Sequence, residues 1–253
     1  MIGSRFIDTY DGPVTKISYR DEVKDIFEKH ENSCLLHFAW SSTTRNGYDD
    51  LDKVVKSDVI NSNKLFNYYY DKNPNGRIIF LSSAGGLHGS HERTVSEDFL
   101  PISNTLYGDC KLQVENILKS NKCSSVILRV SNVWGGTNLG ENRVNGLVDK
   151  LIKNLDTDNI TEIYANLDTR IDIIHVDDLI NLIIKVIHKK SPNNHEVYLV
   201  GSQSLTIKDV IDKISSNGCL LMKFSKKSEK SYLHVENSKV RNYFDWKPEF
   251  LLK

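Results

Sequence analysis

Short apolar runs, several rich in β-branched residues, alternate along the chain with longer stretches whose apolar positions recur at helical spacing. Val14–Ser18, Cys34–Ala39, Arg77–Ser82, Ser125–Val130, Asp172–Val176 and Glu196–Val200 fit strands of a sheet covered on both faces. Asp21–His30, Leu51–Tyr70, Tyr107–Ser120 and Asp178–His188 each place their apolar residues on one helical face. This alternation predicts βαβ units and an α/β fold built on a doubly wound parallel sheet. Right-handed crossovers then lay helices on both faces. Past residue 135 the pattern changes. Gly135-Gly136-Thr137-Asn138-Leu139-Gly140 reads as a loop, and later strands are fewer and further apart. The chain is therefore expected to divide into residues 1–135, carrying the main sheet, and residues 136–253, a smaller lobe with segments returning to that sheet.

Composition narrows the function classes. The 253 residues carry 33 basic and 33 acidic side chains. That balance removes any whole-chain electrostatic argument for nucleic acid or an anionic membrane. No apolar run reaches the ~18 residues of a spanning helix, and no basic-then-apolar leader opens the sequence. Cys34, Cys110, Cys123 and Cys219 are scattered, without C-x-x-C pairs or histidines at ligand spacing. They read as reduced, buried or semi-buried thiols rather than a metal site, which fits a reducing cytoplasm.

Open α/β sheets bind ligands beyond the carboxyl ends of their strands, so those ends carry the candidate chemistry. Small residues follow the third predicted strand, in Ser82-Ser83-Ala84-Gly85-Gly86, and would let a flat ligand approach the backbone. The next helix places Tyr107 and Lys111 on one face. An ammonium near a phenol lowers the phenol's pKa and makes it a usable acid or base. Spacing alone is weak evidence, since Tyr68/Lys72 and Tyr243/Lys247 repeat it. Position decides: Tyr107 lies between a serine-bearing strand end and the strand ending Arg129-Val130-Ser131-Asn132.

Taken in order, His37-Phe38-Ala39-Trp40, Phe80-Leu81-Ser82-Ser83, Tyr107-x-x-x-Lys111, Leu128-Arg129-Val130-Ser131-Asn132-Val133-Trp134-Gly135 and Asp172-Ile173-Ile174-His175-Val176-Asp177-Asp178-Leu179 span most of the chain. This set resembles the extended short-chain dehydrogenase/reductase family, and within it the NAD-dependent epimerase/dehydratase branch acting on nucleotide sugars. The resemblance implies a Rossmann-like sheet binding NAD or NADP and a C-terminal lobe binding a nucleotide-diphosphate sugar. It implies Tyr107 as acid/base and Lys111 as holder of the nicotinamide ribose. Ser82 or Ser83 would bond the reacting oxygen. Gly3, His37, Ala39, Trp40 and Val130 would lie along the cofactor, and Ser83, Ala84, Asn132 and Arg170 along the substrate. Asp178 would cap its helix. A homodimer through the Leu51–Tyr70 and Tyr107–Ser120 helices is also implied, with no nucleic-acid or membrane partner.

Some positions depart from that pattern. The chain opens Met1-Ile2-Gly3-Ser4, resembling only the tail of a Gly-rich turn, with Ser4–Tyr10 as the helix after it. A shortened chain, weak cofactor binding and lost cofactor binding all remain open; taken as a whole protein, the chain is expected to hold a dinucleotide poorly. Ala84 stands at the family's catalytic Ser/Thr position, leaving the role to Ser83. His88 replaces an aromatic residue, and Asp58 replaces an asparagine. Ile171 takes the place of a diphosphate-binding arginine, with Arg170 one position away and on the opposite strand face. Arg20 would suit NADP and Asp21 NAD. His175 reads as a hydrogen-bonded sheet residue, and His88 and His91 are the histidines open to a functional role. The leading expectation is a nucleotide-sugar epimerase or ketoreductase. The rival is a non-catalytic Rossmann-fold scaffold or regulatory relative that has lost its cofactor.

Overall fold

The computed structural model describes residues 2–17, 27, 33–40, 55–89, 93–103, 105–136, 146–225 and 232–253. Its centre is a parallel sheet in the order β1 (Cys34–His37), β2 (Arg77–Ser83), β3 (Ser124–Val130) and β7 (His195–Val200). Side chains alternate across the pleat, and the strands are apolar on both sides for that reason. Ile79, Leu81 and Leu128 pack on one face with Phe6 of α1 (Ile2–Thr9), Ile180 and Ile183 of α6 (Val176–His188) and Phe244 of α8 (Ser238–Phe244). Ile78, Phe80 and Ile127 face the other way, onto Phe66 and Tyr69 of α2 (Asn61–Lys72) and Val114 and Leu118 of α4 (Leu106–Ser120). The two-faced covering expected of a doubly wound sheet is present.

A second group of elements is built on a third core. Strands β4 (Asn132–Trp134), β6 (Arg170–His175) and β8 (Gln203–Thr206) form a mixed sheet, and β5 (Ile160–Ile163) pairs with β9 (Leu221–Phe224). Leu151 of α5 (Leu147–Asn154) and Val210 and Ile214 of α7 (Ile207–Ser215) close that core. The segment Tyr232–Glu236 then runs back toward the main sheet. Val95 and Val235 form a bridge there, and Leu233 meets Ala84 and Leu199 in a small apolar cluster.

Three expectations change. Residues 14–17 are not a strand: Val14 is exposed, and no described segment offers them a ladder. The predicted Asp172–Val176 strand exists as β6 but belongs to the small mixed sheet, because its register partners are Asn132–Trp134 and Gln203–Thr206. The N-cap of α6 is His175, whose Nδ1 accepts from the Asp177 amide at 3.3 Å. Asp178 instead accepts from the Glu249 and Phe250 amides at 2.8 and 3.0 Å, tying the C-terminal tail to the helix start. Arg20, Asp21, His91 and nearly all of the Asp21–His30 helix lie outside the described residues; Phe27 is helical and buried.

Candidate active site at the carboxyl end of the main sheet

β2 ends in two serines, and the pleat sends them opposite ways. Ser82 is buried and donates to Glu115 Oε1 at 2.6 Å, on the side where Glu115 also accepts from Arg129 Nε and Nη2 at 3.1 and 2.8 Å. It serves this internal ion pair and is no candidate for the reacting oxygen. Ser83 caps the short helix α3 (Ala84–His88), accepting from the Gly86 amide at 3.0 Å, and its hydroxyl and the Tyr107 ring both lie against Gly86. Of the two serines, the fold sets Ser83 beside Tyr107 and turns Ser82 to Glu115.

Tyr107 stands in the first turn of α4, whose N-cap Thr105 accepts from the Gly108 amide at 3.1 Å. The α3 and α4 backbones meet there. A Cβ at Gly108 would fall 2.1 Å from Gly86 O and 2.3 Å from Ser103 Oγ. Only glycine lets the helix start this close, and the closeness sets Tyr107 against Ser83.

Lys111 lies one turn on, buried to 4% exposure, with Nζ donating to Leu81 O at 2.7 Å. Its ammonium sits 3.6 Å from the centre of the Trp40 ring and 5.8 Å from that of Tyr107. The expected tuning of the phenol by the amine is not what the side chains do. Burial raises the Tyr107 pKa, the nearby Ser83 hydroxyl opposes that rise, and the Asp58 charge adds to it. Lys111 is instead turned to Leu81 and Trp40, and burial pulls its own pKa down to about 7, against the carboxylates of Asp58 and Glu115. Asp58 is the group sequence reasoning undervalued. Buried in the π-helical turn Val55–Ile60, it acts electrostatically on Tyr107, Lys111 and His37.

The Lys111 shift has a consequence for stability. Folded Lys111 loses its proton near pH 7, whereas the unfolded side chain keeps it to 10.5. Between those values the unfolded chain binds more protons, so stability should rise with pH across that window and fall as pH drops through 7. Urea midpoints of wild type and Lys111→Met at pH 6.5 and 9 check this. The wild type should gain stability at the higher pH, and the variant should lose most of that gain.

The remaining candidates divide. His37 is buried beneath the site, its Nε2 3.2 Å from Ser62 Oγ, and burial followed by Lys111 holds its pKa down to about 3. It is a neutral wall residue. Ala39 is exposed and Trp40 half-buried at the mouth. Gly3 lies within α1, with its Cβ position 3.4 Å from Phe38, so it packs a helix rather than forming a turn. The Val130 side chain points into the core and leaves only its backbone toward the mouth. Ala84 is fully buried under Leu233 and Val235, which removes it from the substrate side. Arg170 donates to Ser204 O at 3.0 Å and lies over Tyr232, outside the nearby cavity. His88, buried, meets Arg129 Nη1 at 3.1 Å and is structural.

That cavity has a volume of about 230 Å³ and opens beside Asn132. Asn132 is two residues past Val130, the ladder partner of Ser83; Tyr107, Ser83 and Lys111 do not themselves line the cavity. Leu147, Ile163 and Ile171 supply apolar wall, and Glu162, Tyr164 and Trp134 the polar part. Trp134 Nε1 is buried with no acceptor among the described residues. Of these residues, the sequence reading had singled out only Asn132 for the substrate.

The profile of the NAD dependent epimerase/dehydratase family matches residues 9–201. The chain belongs to that family. Among curated members, it is 24% identical to a dTDP-4-dehydro-6-deoxyglucose reductase of Escherichia coli over 198 residues, which is 76% of this chain and 61% of that enzyme. It is 26% identical to a GDP-6-deoxy-D-talose 4-dehydrogenase of Aggregatibacter actinomycetemcomitans over 174 residues, 68% of this chain and 57% of the other. The chain thus spans about three fifths of these curated relatives. Among solved structures, MoeE5 in complex with UDP-glucuronic acid and NAD superposes with a TM-score of 0.86 at 17% identity, covering 99% of this chain and 91% of that one. At that identity the likeness concerns the fold, and it places this epimerase/dehydratase family chain on a Rossmann-like frame.

Proposed function

We propose that this chain binds NAD(P) and a nucleotide-diphosphate sugar and serves hydride transfer at a sugar carbon, as an epimerase or ketoreductase. The observation that carries this reading is the gathering of Tyr107, Ser83 and a buried Lys111 at the carboxyl end of a parallel sheet, with the Tyr107 ring and Ser83 Oγ both against Gly86. A non-catalytic relative would have no need to hold this trio together. The residues suit a dinucleotide. Lys111 spends one N–H on Leu81 O, its one acceptor among the described residues, and so keeps two donors for a ribose diol. When bound, NAD(P) would give or take the hydride.

The protein's own share is proton transfer and positioning. Tyr107, kept neutral by burial, would donate its phenolic proton to a carbonyl oxygen as that oxygen gains charge, and Ser83 would donate a second hydrogen bond to the same atom. A neutral phenol suits reduction. Oxidising an alcohol, the first half of an epimerisation, requires the phenolate, and Lys111 would have to turn from Leu81 and Trp40 toward Tyr107 to supply the stabilising charge. The cavity beside Asn132 would hold the nucleotide end, with Trp134 Nε1 as an unspent donor and apolar walls for the base.

Thermal shift with NADH, NADPH and a panel of UDP-, GDP- and dTDP-sugars tests the reading. A dinucleotide and one nucleotide class should each raise the melting temperature, and the pair should then support turnover followed at the nicotinamide absorbance. Shifts from neither would remove the proposal.

A further inference from the structure

Trp40 follows β1 by three residues, beyond the strand's ladder, and its indole lies against both groups that the proposed chemistry needs to share one cofactor. Its face covers the Lys111 ammonium at 3.6 Å, and its ring meets Tyr107 at 6.3 Å and 84°. Phe80 at 5.8 Å and His37 at 6.5 Å stand against it from the sheet side. Lys111 is thereby enclosed by Trp40, Phe80 and Tyr107, with Leu81 O as its hydrogen-bond acceptor.

We propose that Trp40 is a lid over Lys111, occupying in the free chain the space that the ribose hydroxyls of a dinucleotide require and swinging aside when the dinucleotide enters. The inference rests on the functional reading above and adds a closed resting state to it. A ribose diol and an indole face compete for the same two N–H groups. The diol offers directed hydrogen bonds and the indole a quadrupole, and both cannot lie within contact distance of Nζ at once. Trp40 lies past the β1 ladder. A cation–π contact this close, in a half-buried place, favours the closed conformer on the order of tenfold, and the apparent dinucleotide affinity falls by that factor. The lowered pKa of Lys111 agrees with an ammonium enclosed by rings rather than hydrated.

The test uses the full chain in four forms: wild type, Trp40→Ala, Trp40→Leu and Trp40→Phe. NADH and NADPH are titrated by nicotinamide fluorescence. Trp40→Ala and Trp40→Leu should bind about tenfold more tightly than wild type, and Trp40→Phe, which keeps a smaller ring face, should fall between. Should either fold poorly, the other carries the comparison. A second readout needs no ligand. The emission difference between wild type and Trp40→Phe should quench as pH falls through neutrality, since an ammonium over an indole face quenches it. Lys111→Met should abolish that pH dependence. Equal or weaker binding by both Ala and Leu variants would overturn the lid and make the indole a platform for the cofactor, with the functional reading intact. Emission indifferent to pH and to Lys111→Met would overturn the closed state. Binding by no form, Ala variant included, would remove lid and functional reading together.

Discussion

Tyr107→Phe should lower turnover by about 10²–10⁴-fold while leaving dinucleotide and nucleotide-sugar affinities within a few-fold of wild type. The substitution keeps the ring that packs on Gly86 and meets Trp40, so the cleft keeps its shape. Only the hydroxyl is lost. Ser83→Ala should cost less, about tenfold, because one positioned donor is lost and the proton source remains. The pH profile adds an independent mark. Burial raises the phenol's pKa, so keto reduction should stay level through neutral pH and decline on the alkaline side as the phenol ionises. Turnover of Tyr107→Phe within tenfold of wild type, in a rapid assay at saturating substrates, would show that another group moves the proton.

The largest effect on stability is expected at Glu115. Its carboxylate is fully buried and receives Ser82 Oγ, Arg129 Nε and Arg129 Nη2 at 2.6, 3.1 and 2.8 Å. Glu115→Ala would strand the Arg129 guanidinium, 2% exposed, beside His88 with no carboxylate to compensate it. Breaking a buried pair this way costs about 3–5 kcal/mol, on the order of ten degrees in melting temperature for a chain of this size. The double variant Glu115→Leu/Arg129→Met should recover much of the loss, because it leaves no charge buried alone. Thermal and urea unfolding of the two variants decide the matter. A loss below about 1 kcal/mol for Glu115→Ala would mean that water reaches the arginine. The pair ties α4, the helix that carries Tyr107, to β3, so the same measurement reports on the footing of the site.

Local pattern carried much of the architecture. Ile78 and Phe80 against Ile79 and Leu81 is an alternation any strand must show, and the structure sends the two pairs to opposite cores. The same rule of two separates Ser82 from Ser83, yet knowing which of them faces the ligand required knowing where Glu115 lies. The four-residue strands Ile160–Ile163 and Leu221–Phe224 escaped the reading because they hold too few residues for a period to register and owe their form to each other. Residues 14–17 show the converse: β-branched composition with no ladder among the described residues makes no strand.

By itself the sequence determined the α/β class, the four strands of the main sheet and the family. It also brought Tyr107, Lys111 and Ser83 to one sheet end, because these follow from periods of two and 3.6 residues and from motifs a few residues long. Tertiary structure alone decided the direction of each side chain. Lys111 turns to Leu81 and Trp40 rather than to Tyr107, Ala84 is sealed under Leu233, and Arg170 bonds the Ser204 carbonyl outside the cavity. Each of those outcomes is set by a group dozens of residues away in the chain. Burial and charge, which fix pKa and hydrogen-bond choice, are properties of neighbours in space that no local pattern encodes.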